Sequence, residues 1–85
     1  MIIRFTSKFK KAYKKMPKMI KTKAEEREKI FQKNPFDTRL DTHKLHGKYK
    51  EYWAFTVIGQ HRIMFAFSGK EFVDFINIGT HEIYK

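Results

Sequence analysis

The chain has 85 residues, a net charge of +10, 41% hydrophobic and 16% aromatic content, and no cysteine. That length fits one domain, residues 1–85, with a small core in which large rings supply most of the buried area. Without cysteine there is neither a disulfide framework nor a thiolate zinc site, and no apolar run approaches the ~18 residues of a membrane span.

Ile2-Ile3-Arg4-Phe5 reads as a short first strand, and with Met1 it is too short for a signal peptide, so a soluble cytoplasmic protein with no membrane partner is expected. Thr6 or Ser7 can cap a helix in which Phe9, Ala12, Tyr13 and Met16 recur at helical spacing with lysines between them. Pro17 interrupts and suits the first turn of a second helix, which runs through Ile20, Ala24, Arg27, Ile30 and Phe31 to about Lys33. Thr22-x-x-Glu25 has the form of a capping box, but the apolar spacing continues through it. Asn34-Pro35 ends the helix.

Residues 34–48 form a polar connector that Leu40 and Leu45 tack to the core. From Tyr49 the period becomes two. Trp53, Phe55 and Val57 share one face of a strand, Gly59-Gln60 makes a Gly-first turn, and Ile63, Phe65 and Phe67 share a face of the next strand. Ser68-Gly69-Lys70 turns again, and Phe72 to Ile78 is a third strand. The predicted fold is α+β: an N-terminal strand, then a two-helix hairpin packed on a mostly antiparallel sheet completed by a C-terminal three-strand meander. Trp53, Phe55, Phe65 and Phe67 are assigned to the core, and Arg62 to the opposite sheet face.

Charge and chemistry point the same way. Residues 1–50 hold 16 Lys and Arg against 5 Asp and Glu, whereas residues 51–85 hold 3 against 4. A basic half of this kind attracts polyphosphates or an acidic protein. Histidines at 43, 46, 61 and 81, Arg62 and Tyr84 supply a proton acceptor, a phosphate-binding cation, a proton donor and an aromatic ring. Those groups are enough to cut RNA without a metal. His43-x-x-His46 with His61 or His81 lacks carboxylate and thiolate partners at suitable spacing, so neither metal nor cofactor is expected.

Leu45-x-Gly47 followed by Tyr52-Trp53, His61-Arg62-Ile63-x-Phe65 and Gly79-Thr80-His81 resembles the RelE/ParE toxin superfamily of type II toxin–antitoxin modules. The resemblance covers the whole chain and is strongest to YafQ-like and YoeB-like mRNA interferases. It implies a RelE-like fold and an endoribonuclease that cleaves mRNA on the ribosome. It also implies ribosomal RNA as a partner, an acidic cognate antitoxin, and promoter DNA reached only through that antitoxin. By the same resemblance, His43 falls on the general-base position, Arg62 on the arginine that contacts the scissile phosphate, and His81 on the general acid. Tyr84 lies near the family's terminal aromatic.

Where YafQ-like members carry a further histidine and an aspartate, this chain has Thr56 and Gln60. Lys44 and Lys48 would add positive potential, and His46 and His61 would contact RNA. Each has a plainer reading as a solvated loop or strand-end side chain. Two other functions fit the same fold and charge: a ParE-like, non-enzymatic inhibitor of DNA gyrase, and a basic nucleic-acid-binding module without catalysis.

Overall fold

The computed structural model describes residues 1–84. Its elements run β1 (Ile2–Phe5), α1 (Ser7–Lys14), α2 (Lys18–Lys33), β2 (His43–Lys44), β3 (Trp53–Ile58), β4 (His61–Ser68) and β5 (Phe72–Gly79). Short 3-10 turns lie at Thr38–Leu40, Gly47–Tyr49 and His81–Tyr84. The strands form one sheet in the order β1-β5-β4-β3-β2, with β1 parallel to β5 and the remaining neighbours antiparallel. The α+β architecture is the one the periodicities predict, with one strand more.

Local chemistry explains the entry into each helix. Thr6 Oγ1 accepts the Phe9 N–H at 3.1 Å and donates its own proton to the Phe75 carbonyl at 2.9 Å. One hydroxyl therefore caps α1 and clips it to β5, a contact of about 1 kcal/mol as a cap alone. Pro17 occupies the N-cap of α2, one position before the expected first turn, with φ −58° and ψ 154°. Thr22 lies inside α2, so Thr22-x-x-Glu25 caps nothing. Across the parallel pair, the Arg4 guanidinium forks Asp74 at 2.6 and 3.1 Å and lies 4.3 Å over the Phe72 ring.

The core is built around Phe31, which is fully buried. Its ring stacks on Phe55 at 5.0 Å and meets Phe65 and Phe75 edge-on at 4.9 and 5.5 Å. A single helical side chain thus touches β3, β4 and β5, and each such ring pair adds about 0.5–1.5 kcal/mol beyond the area it buries. Leu40 of the connector is fully buried as well, which holds the loop after α2 against the same core.

Two departures from the expected fold bear on function. The connector contains a strand, β2, whose His43 and Lys44 pair with Ala54 and Trp53. Phe67 is not core: it is 42% exposed, and its ring packs on Phe36, Trp53 and Phe65. Alternation assigned Phe67 to the correct face, but α1 lies on β5 and α2 on β3, and the chain leaves α2 at Asn34. The end of β4 is left with partial cover from Phe36, itself 51% exposed.

Phe31→Ala should destabilise the fold by about 3–5 kcal/mol, read from urea unfolding. Met19→Ala, on the exposed face of α2, should move the same curve by no more than about 0.5 kcal/mol.

Candidate active site

Alternation along β4 decides where the chemistry sits. Ile63 and Phe65 enter the core, so Arg62 projects from the other face of the sheet. There it borders a cleft of about 660 Å³. His43 and His46 come to that cleft from the connector, Arg62 from the start of β4, and His81 and Tyr84 from the C-terminal turn. Lys48 also lines it. Three imidazoles, a guanidinium and two phenols therefore face one hollow, although 37 residues of chain lie between His43 and His81.

The connector fixes His43 by local bonds. Its Nδ1 lies 3.0 Å from the Asp41 carbonyl oxygen. A carbonyl can only accept, so this bond holds the proton on Nδ1 and leaves the Nε2 lone pair available. Asp41 reaches that position at φ 50°, and it is the one non-glycine residue at positive φ among the described residues. Aspartate tolerates the left-handed region better than most side chains. Around it, the Thr42 hydroxyl donates to the Pro35 carbonyl, and Asp37 caps the Thr38–Leu40 turn while pairing with Arg39 at 2.9 Å. That partner and its backbone N–H hold the Asp37 carboxyl down at about 2.

The C-terminal turn is held just as locally. Glu82 accepts the Thr80 N–H at 3.1 Å and the Thr80 hydroxyl, and these bonds lower its carboxyl to about 2. Gly79 is required for the turn: a Cβ there would lie 2.7 Å from both Ile83 Cγ2 and Glu82 Oε1. Buried Ile83 anchors the turn between His81 and Tyr84. The Tyr84 hydroxyl is buried and has no hydrogen-bond partner among the described residues. Burial pushes its pKa up, partly offset by the nearby Arg62 charge, so the phenol stays neutral and can donate. Arg62 makes no ion pair among the described residues; its nearest protein acceptor is the Gly59 carbonyl at 3.4 Å.

Lys44 and His61 are not brought to the cleft. Lys44 follows His43 on a strand, so it points to the other face, where its Nζ sits 5.4 Å over the Trp53 ring. His61 precedes Arg62 on β4 and is turned away by the same alternation. Three residues not assigned to the site from sequence do line it: Leu45, Tyr49 and Gln60. Tyr49 meets the Tyr84 ring edge-on at 6.4 Å and carries Lys48 Nζ 5.2 Å over its own ring. No periodic signal marks Tyr49, which directly follows the connector. Gln60 lies in the turn before β4, whereas Thr56 sits opposite Arg62 in the register and is not among the lining residues. Among the described residues no group of three or more His, Cys, Asp or Glu side chains could hold a metal ion, and no helix is long and apolar enough to cross a membrane.

No protein-family model and no curated protein matches this chain. Solved structures do. The YoeB/ParE toxin from Agrobacterium tumefaciens superposes with a TM-score of 0.78 at 18% identity, over 95% of this chain and 99% of that one. YafQ from E. coli strain BL21(DE3) gives 0.75 at 20% identity, over 96% and 94%. A chain of the RelB-RelE antitoxin-toxin complex from Methanococcus jannaschii gives 0.74 at 23% identity, over 94% and 93%. The chain has the fold of the RelE-like toxins.

The Glu82 carboxyl titrates below its ordinary value of 4.5, so its support for the turn is complete above that pH and is lost as pH falls through about 2. Glu82→Gln should melt below the parent at neutral pH, and the two melting curves should converge as pH drops from the ordinary carboxylate range towards about 2.

Proposed function

We propose that this chain is the toxin of a type II toxin–antitoxin module and acts as a metal-independent endoribonuclease on mRNA at the ribosome. The observation that carries the reading is the meeting of His43, Arg62, His81 and Tyr84 around one cleft. The RelE-like fold supports it, because two of the structures that share the fold are named as toxins, one of them solved with its antitoxin.

The chemistry follows from the groups available. His43 Nε2 takes the proton of the 2′-hydroxyl, and the 2′-oxygen attacks phosphorus. Arg62 holds the non-bridging oxygens as negative charge builds on them. The bond from phosphorus to the 5′-oxygen breaks, and that oxygen takes a proton from the His81 imidazolium. The products are a 2′,3′-cyclic phosphate and a 5′-hydroxyl end. Tyr84 donates its buried hydroxyl to a phosphate oxygen, and Lys48 and His46 add positive potential and substrate contacts at the rim.

The partners are mRNA and ribosomal RNA, matched by the +10 charge, and an acidic antitoxin that covers the cleft and links the pair to promoter DNA. A gyrase inhibitor on the same fold has no use for an oriented imidazole in one cleft with a guanidinium that makes no ion pair among the described residues.

The test is induced expression with transcript-end mapping, comparing the parent chain with His81→Ala. The parent should give codon-phased cuts ending in cyclic phosphate. The variant should lose cleavage by roughly 10²–10⁴-fold, the usual contribution of a general acid. Growth arrest with DNA damage and intact mRNA would sink this reading in favour of gyrase. Salt-sensitive RNA binding without cut ends would reduce the chain to a binding module.

A further inference from the structure

On the helix side of the sheet, Phe36, Trp53 and Phe67 form a cluster of rings at the end of β4. Phe36 and Phe67 stack at 6.1 Å, and Trp53 meets them edge-on at 5.4 and 5.8 Å. Phe36 and Phe67 are roughly half exposed, and Trp53 is half-buried. Large apolar side chains left in water as a contiguous group mark a binding surface. Lys44 holds its ammonium over Trp53, and Lys33 ends α2 just before Phe36.

We propose that this cluster is a second, single-stranded RNA-binding surface on which bases of the substrate stack outside the cleft. The proposal rests on the RNA reading of the cleft and extends it to the rest of the strand.

Two observations choose RNA as the occupant. Trp53 carries the Lys44 ammonium over its ring, on a chain whose first fifty residues hold the basic excess. Rings interleaved with cations are the pairing that single strands use, since every base has a π-face and every linkage a charge. The surface is also continuous with the cleft. His43 and Lys44 are adjacent on β2, the outermost strand, and project to opposite faces, so an RNA strand turning round that edge passes directly from one to the other.

Trp53 is the only tryptophan in the chain and serves as a built-in reporter. The experiment uses the full chain carrying His81→Ala to prevent cutting. It compares a single-stranded RNA of about 12 nucleotides, long enough to span both surfaces, with a dinucleoside monophosphate that fills the cleft alone. The longer RNA should quench Trp53 emission, and the dinucleotide should bind without quenching. Phe36→Ser should weaken the longer RNA about tenfold, as expected for one lost stack, and leave the dinucleotide unchanged. Lys44→Glu should do the same and flatten the salt dependence, which keeps the test intact if Phe36→Ser folds poorly.

Binding of the longer RNA with no quench and no effect of either substitution overturns the proposal. Saturable quenching by an acidic Glu-Leu amphipathic peptide, with none by RNA, also overturns it and gives the surface to a protein partner. The two readings fail separately: cleavage by the parent without quenching removes only this surface, and quenching without cleavage removes only the nuclease.

Discussion

The Phe31 ring decides what the rest of the molecule can be. Seated on Phe55 and against Phe65 and Phe75, it fastens α2 over three strands at once. That contact assigns one face of the sheet to the core, and because side chains alternate, it assigns the other face as well. Arg62 projects into the cleft because Ile63 and Phe65 are committed to the core on either side of the bulge at Met64 and Phe65. A one-residue slip of β4 would bury the guanidinium and expose both apolar side chains. Packing and chemistry are therefore one constraint expressed on two faces.

The helices and the meander were legible because each repeats its signal. Phe9, Ala12, Tyr13 and Met16 mark a helical stripe, and Trp53 through Phe67 alternate over enough residues to fix a period of two. β2 was not legible, since two residues have no period and an edge strand forms only because β3 presents a free side to it. Missing β2 meant missing that His43 and Lys44 part to opposite faces, which is why Lys44 was grouped with the cleft. Phe67 shows a second limit: alternation tells which face a side chain takes, but only the lengths and placement of the helices tell whether anything covers it. The order and spacing of His43, Arg62 and His81 were readable through family resemblance, whereas Tyr49 was not, because ring contacts between loops leave no periodic trace.

Electrostatics separates the structural arginines from the functional candidate. Arg4 is spent on Asp74, Arg39 on Asp37, and Arg27 donates to the Val57 carbonyl at 3.0 Å. Each holds chain segments together. Arg62 has only a long contact to the Gly59 carbonyl, beside a phenol hydroxyl that also lacks a partner among the described residues. A buried hydroxyl without a partner is costly to a fold, and the Arg62 guanidinium beside it is open to an anion.

The cleft is assembled from three turns, each locked by bonds of its own. Asp41 orients the imidazole of His43, Gly59 reverses the chain ahead of Arg62, and Gly79 with Glu82 sets the pitch that presents His81 and Tyr84. No hydrogen bond among the described residues ties His43, Arg62 or His81 to one another. Their spacing is instead inherited from the sheet, in which β2 carries His43 beside β3, β4 carries Arg62, and β5 leads into the turn of His81. Side chains placed this way keep their donors and acceptors for a ligand instead of consuming them on each other, which is what a pre-organised site requires. The fold answers to Phe31 on one side of the sheet so that the other side can keep its polar groups uncommitted.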